Sequence, residues 1–110
     1  MSNQSPIFVK TEVFMLWLLN HTADFPKHER FRLGKRIDDA LFNFHLALTQ
    51  AVYQTDVQAN LRNADLHLNL LRTYFRLALE MQYTTPNQFA YIAEQVDEIG
   101  RLLGGWQKKA

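Results

Sequence analysis

Apolar residues recur along this chain in steps of three and four, in four blocks separated by polar or proline-bearing breaks. In the second block Leu33, Ile37, Ala40, Leu41, Phe44, Ala47, Leu48, Ala51 and Val52 fall on one side of a helix. The fourth block repeats the pattern with Phe89, Ile92, Ala93, Val96, Ile99, Leu103 and Trp106. Its charged residues Glu94, Asp97, Glu98 and Arg101 lie mostly opposite, with Asp97 and Arg101 in the favourable i,i+4 order for a pair. The spacing predicts helices over 7–22, 27–54, 57–82 and 86–108. Prolines mark the starts: Pro6 and Pro26 precede the first two blocks. Pro86 follows Thr85, with Gln88 placed to complete a capping box. No segment alternates with period two, and no internal repeat is present. Short breaks between long helices make consecutive helices antiparallel. The expectation is an all-α, up-and-down antiparallel four-helix bundle, with residues 1–110 forming one domain.

Two of the helices carry more apolar surface than one small bundle covers. Val57, Leu61, Ala64, Leu68, Leu71, Phe75 and Ala78 form one narrow stripe on the third helix. Leu66, Leu70, Tyr74, Leu77 and Met81 form a second stripe, roughly 140° around the axis at about 100° per residue. The first helix is apolar nearly all round from Val13 to Leu19. Apolar surface on that scale predicts a homo-oligomer.

Charge adds little in bulk, since the formal net charge is +1. With no cysteine, there is neither a disulfide nor a thiolate metal site. The longest apolar run is too short to span a bilayer, and no basic segment precedes it as in a signal peptide. These features predict a soluble, cytoplasmic protein with no membrane partner.

Catalytic signals are missing too. His21, His28, His45 and His67 stand in no Glu-x-x-His or His-x-x-x-His spacing, so no metal site is expected. Asp38 and His45, seven residues apart on one helix face, read as a solvated pair. Gly104-Gly105 reads as a frayed C-terminal turn or a close helix contact. Nucleophile, base and orienting group do not occur together, and no phosphate loop or dinucleotide fingerprint is present. The expectation is a non-enzyme with no catalytic residues and no cofactor.

Two basic features remain. Between Asp24 and Arg36, Lys27, Arg30, Arg32, Lys35 and Arg36 face only two acids, Asp24 and Glu29. Cations at the start of a helix oppose its dipole, which suits either a phosphate or acidic-protein site or simply a solvated helix start. On the third helix Arg62, Asp65, Asn69, Arg72 and Arg76 share the remaining polar face. Arg72 and Arg76, one turn apart, form a fork for phosphates. They also suit ion pairs with Glu80 or with acids of a neighbouring helix. Tyr83 and Tyr91 read as surface residues without a role.

Leu71-Arg72-Thr73-Tyr74-Phe75-Arg76-Leu77-Ala78 resembles the arginine-bearing third helix of the accessory variability determinant family of diversity-generating retroelements. Thr85-Pro86-Asn87-Gln88 and Ile99-Gly100-Arg101-Leu102-Leu103-Gly104-Gly105-Trp106 resemble its fourth helix. Phe25-Pro26-Lys27-His28-Glu29-Arg30 is similar to the second-helix start in the wider ribosomal intervening-sequence four-helix-bundle group. The resemblance implies a homopentameric barrel that binds nucleic acid (template RNA or cDNA) and a reverse transcriptase. By the same resemblance, Arg72 and Arg76 match functional arginines, and Lys27 and Arg101 match basic positions. Arg30 and Arg36 join this candidate set from the basic helix start. A structural oligomer of the intervening-sequence type, with no nucleic-acid role, is the alternative.

Overall fold

The computed structural model describes residues 4–110, in which four helices follow one another without a strand: α1 (Pro6–Ala23), α2 (Leu33–Tyr53), α3 (Val57–Glu80) and α4 (Pro86–Lys109). Each packs on its neighbours in sequence and α4 closes on α1; across the α1–α3 diagonal the backbones stay apart and the side chains of His21 and Phe75 meet in the core. The body measures 41 × 24 × 21 Å. This is a four-helix bundle.

Pro6 starts α1 at a position where its missing N–H is not needed. Asp56 caps α3, its side chain accepting from the Ala59 N–H at 3.1 Å. The capping box at α4 forms as the sequence predicts. Gln88 N donates to Thr85 Oγ1 at 3.1 Å, and Thr85 N donates to Gln88 Oε1 at 2.9 Å. Between α3 and α4 the chain reverses through Gln82, which takes a left-handed φ of 64°. Tyr83 N and Gln82 N donate to the Ala78 and Leu79 carbonyls at 2.9 and 3.0 Å. That is a Schellman ending with glutamine where glycine is usual, at a strain of about 1–2 kcal/mol.

The core is built from the predicted stripes. Ile37, Leu41, Phe44 and Leu48 meet Leu61, Leu68, Leu71 and Phe75, and Ile92, Val96, Ile99 and Leu103 close the far side, all buried. Burial of each such side chain is worth about 1.5–3 kcal/mol. From α1 come Phe8, Phe14 and Leu18, with Phe8 tilted against Trp106.

Two sequence expectations change here. The second helix does not begin at Lys27. A short 3-10 turn, Lys27–Glu29, is followed by a bend through Arg32, whose φ of −109° and ψ of −101° are not helical, and α2 starts at Leu33. Tertiary burial causes the break. Phe25 and Glu29 are both buried, and Gly34 lies so close to the Glu29 carbonyl that a Cβ there would stand 3.2 Å from its oxygen. At the other end, Gly104 and Gly105 are neither a frayed turn nor a close contact. Both sit inside α4, and nothing lies within 4 Å of where their Cβ atoms would be.

The ends of the helices are joined by polar ties. His21 shares a 2.8 Å hydrogen bond with Thr84 across the top of the bundle, both groups buried. Thr22 Oγ1 donates to Asp38 Oδ1 at 2.8 Å, and His45 Nε2 lies 3.0 Å from Glu12 Oε2. Asp38 and His45 are therefore not a pair with each other; each holds α2 to a different point on α1.

Candidate nucleic-acid interface

Arg72 and Arg76 project into the groove between α3 and α4. With Phe75, Phe89, Val96 and Asp97 they line a hollow of about 130 Å³, apolar at its floor and charged at its rim. Arg72 Nη1 donates to Asn69 Oδ1 at 2.9 Å, while Nη2 lies 3.7 Å from Asp97 Oδ1. Its side chain is 33% exposed, and the long approach to Asp97 leaves it available to another anion. Gly100 makes the crossing possible, since a Cβ there would stand 3.0 Å from Arg72 Nη2. Arg76 is exposed and donates to Thr73 Oγ1 at 3.2 Å. No carboxylate lies within 4.0 Å of Arg76 among the described residues, so Glu80 is not its partner.

The expected Asp97–Arg101 pair does not form. Asp97 turns to Arg72 on α3, and Arg101 instead donates to Glu98 within its own helix. That hydrogen bond, with the guanidinium charge, holds the Glu98 carboxyl below its ordinary range. Arg101 borders a separate hollow between α4 and α1, beside Pro6, Trp106 and Lys109.

The remaining candidates gather at the head of α2. Lys27 and Arg30 are exposed on the 3-10 turn and the bend after it, and Arg36 stands in the first turn of α2. Arg36 borders two hollows. One is shared with Ala40, His67, Leu70 and Tyr74 along the α2–α3 groove; the other, an open cleft of about 570 Å³, is shared with Phe31, Arg32, Lys35 and Asp39. Lys35 pairs with Asp39 at 2.8 Å, and Arg32 Nε lies 3.2 Å from the Glu29 carboxylate. That last contact is an ion pair without hydrogen-bond alignment, since Glu29 Oε1 has no hydrogen-bond partner. Glu29 also raises the Tyr83 phenol above its ordinary pKa by accepting its hydrogen bond. Tyr83 is thus half-buried, against Phe25 and Glu29, and is not a free surface residue.

The six candidate residues therefore do not converge within one subunit. They divide among the α3–α4 groove, the head of α2 and the lower α1–α4 hollow. Sequence reasoning allowed an acid of a neighbouring helix as a partner for these arginines without singling out Asp97, and it missed Gly100 as the clearance for Arg72. The signal was the run of small and acidic residues on the α4 side that faces Arg72, which the competing i,i+4 spacing obscured. Among the described residues no group of histidine and carboxylate side chains could hold a metal ion. No described helix is long and apolar enough to cross a membrane.

A search of curated proteins finds no match. A family model described as bAvd-like matches residues 7–110, all four helices apart from the first residue of α1 and with both arginine-bearing segments inside the match. The chain belongs to the bAvd-like family.

Proposed function

We propose that this protein is a non-enzymatic accessory subunit of a diversity-generating retroelement, binding reverse transcriptase and nucleic acid through basic residues on a homopentameric barrel in the cytoplasm. The observation that carries this reading is the α3–α4 groove. There two guanidinium groups one turn apart stand at the rim, one without an acidic partner and the other only loosely held by Asp97. Guanidinium forks of this kind suit phosphate oxygens, which position a nucleic acid without reading its sequence. Lys27, Arg30, Arg36 and Arg101 extend the basic surface elsewhere on the subunit, where neighbouring copies in a ring would bring separate patches into register.

The apolar exterior supports assembly. Val9, Val13 and Leu16 on α1 are 53%, 59% and 68% exposed, and Leu66 and Leu77 on α3 and Met81 at its C-terminal end are 54%, 49% and 53% exposed. As α1 and α3 lie on opposite corners of the bundle, these faces point in opposite directions. Joining one to the other between copies is a heterologous contact, which builds a ring when the rotation from copy to copy closes.

The test is a double substitution, Arg72→Ala with Arg76→Ala, assayed by binding isotherms against RNA and by pull-down of the reverse transcriptase. The expected result is a weakened, strongly salt-sensitive interaction, with the slope of log affinity on log salt reduced by roughly one for each phosphate-binding cation removed. Helicity and particle mass should not change. The Arg72–Asp97 contact favours a second reading, in which these arginines only brace the bundle or its assembly. On that reading the double variant loses mass in light scattering and any affinity for nucleic acid is unaltered.

A further inference from the structure

Phe31 is 83% exposed, more than any other large apolar side chain among the described residues. It is not on a loose loop. Phe25 and Glu29 before it are each 2% exposed, and Gly34 after it is packed against the Glu29 carbonyl. The bend is closed by backbone hydrogen bonds from Glu29 N to Pro26 O at 2.8 Å and from Arg32 N to Glu29 O at 3.2 Å. A segment anchored on both sides holds this ring in water.

Cations surround the ring. Arg30 and Arg32 flank it in sequence, and Arg32, Lys35 and Arg36 share its cleft. Arg30 and Arg36 have no carboxylate within 4.0 Å among the described residues. Lys35 is held only by an exposed ion pair with Asp39, which is weak and readily exchanged for a phosphate. Arg32 stays with the buried Glu29 carboxylate and adds only its charge to the cleft. The N-terminus of α2 beneath them carries no side-chain cap and no acid in its first turn, so its dipole adds positive potential at the same place.

A bare aromatic face within a cluster of cations matches one chemistry well. In single-stranded nucleic acid each phosphate is accompanied by a base whose face is open, whereas in a duplex those faces are stacked inside. An acidic protein surface would use the cations and leave the ring without a flat partner. We propose that Phe31 is a stacking platform for an unpaired base, with Arg30 and Arg36 taking the adjacent phosphates, so that the head of α2 binds single-stranded nucleic acid in preference to duplex. This rests on the nucleic-acid reading above and adds to it a residue and a strand preference.

The test uses the full chain with Phe31→Ala, Phe31→Trp and Arg36→Glu, and fluorescence anisotropy with an oligo-uridine RNA and a mixed-sequence RNA duplex across a range of salt. Phe31→Ala should lower affinity for the single strand by roughly 5- to 150-fold, the factor corresponding to about 1–3 kcal/mol for one stacked base. Duplex affinity and the salt slope should not move. Phe31→Trp should restore single-strand binding, and Arg36→Glu should weaken both ligands and flatten the salt slope. Equal binding of both strands by the parent protein, with Phe31→Ala silent, overturns this inference and leaves the nucleic-acid reading standing. Binding of neither strand overturns both. A fall in particle mass for Phe31→Ala would make the ring a contact between copies, and loss of reverse transcriptase capture with RNA binding intact would make it a protein contact; either result overturns the proposal.

Discussion

The two sides of α3 are built from the same kinds of residue and meet opposite fates. Along the inner stripe Leu61, Leu68 and Leu71 are fully buried, while on the outer stripe Leu66 and Leu77 remain about half exposed. Intrinsic helix preference does not separate them, since leucine favours the helix equally on either side. What differs is which neighbour each side has within the subunit. The inner stripe closes on α2 and α4, whereas on the outer stripe only Leu70 and Tyr74 reach back to the α2–α3 groove and Leu66 and Leu77 stand open to solvent. Stability therefore resides on one side of the rod, and the capacity for association on the other.

The most direct way to break that contrast is to shorten one leucine on each side. Leu68→Ala should cost about 2–5 kcal/mol in chemical denaturation, because the buried site loses its transfer energy and retains part of a cavity. Leu77→Ala should stay within about 0.5 kcal/mol for the isolated subunit. Similar losses at both positions would show that the outer stripe is as much part of the subunit's core as the inner one.

Acid offers a second attack on the inner side alone. His21 is the buried histidine of α1, stacked on Trp17, edge-on to Phe25 and hydrogen-bonded to Thr84. Burial lowers its pKa from the ordinary 6.5, against a smaller upward pull from Asp24. The unfolded chain therefore takes up this proton at higher pH than the folded one does. Stability should be complete above about pH 6.5 and should decline as pH falls through that value, until the depressed folded pKa is reached. Asp38 titrates in the opposite sense. Burial raises it from 3.8, so the cost of keeping it ionised is relieved as pH falls, in a more acidic window. Denaturation midpoints followed downward from pH 8 should show the histidine's decline first, and His21→Gln should flatten it.

On the outer side the expected effect is on mass. Leu66→Glu with Leu77→Glu should leave the circular dichroism spectrum and the unfolding free energy of the subunit within about 0.5 kcal/mol, as surface changes do. Under the proposed ring, the same double variant should reduce the particle to a single subunit in light scattering. An unchanged mass would remove α3 from any interface.

The inner stripes were legible in the sequence because burial imposes a period of 3.6, and the capping box at Thr85 was legible because its two hydrogen bonds are local. The break before α2 was not. Arg30-Phe31-Arg32 carries no glycine or proline, and the bend there is set by the burial of Phe25 and Glu29 elsewhere in the fold. The site divided in the same way. The sequence marks Arg72 and Arg76 as neighbours, since both lie one turn apart on one helix. Whether Asp97 would reach Arg101 on its own helix or Arg72 on the next depends on how closely α3 and α4 approach, which no local spacing encodes. The exposure of Phe31 was hidden for the same reason: an aromatic residue beside Leu33 in a chain of amphipathic helices reads as core.

Between the two stripes of α3 lies a third side, where Arg72 crosses to α4 over Gly100, and there the smallest effect is expected. In Gly100→Ala the new Cβ would stand 3.0 Å from Arg72 Nη2 and 3.6 Å from Leu68 Cδ2. The guanidinium is the far end of a flexible side chain, so it moves outward and the helices keep their spacing. Alanine in a helix interior gains about 0.5–1 kcal/mol over glycine, which offsets the loss of the loose contact with Asp97. Stability should hold or rise slightly. If Arg72 serves a visiting phosphate, its release from Asp97 should strengthen RNA binding at low salt by a factor of about two to five, the most that an exposed ion pair of this kind withholds. If the arginine is only a brace, affinity will not change and the assembly will loosen. Glycine at this point leaves room for an arginine that must be able to leave Asp97, and the sign of that small change in affinity decides which partner the room is for.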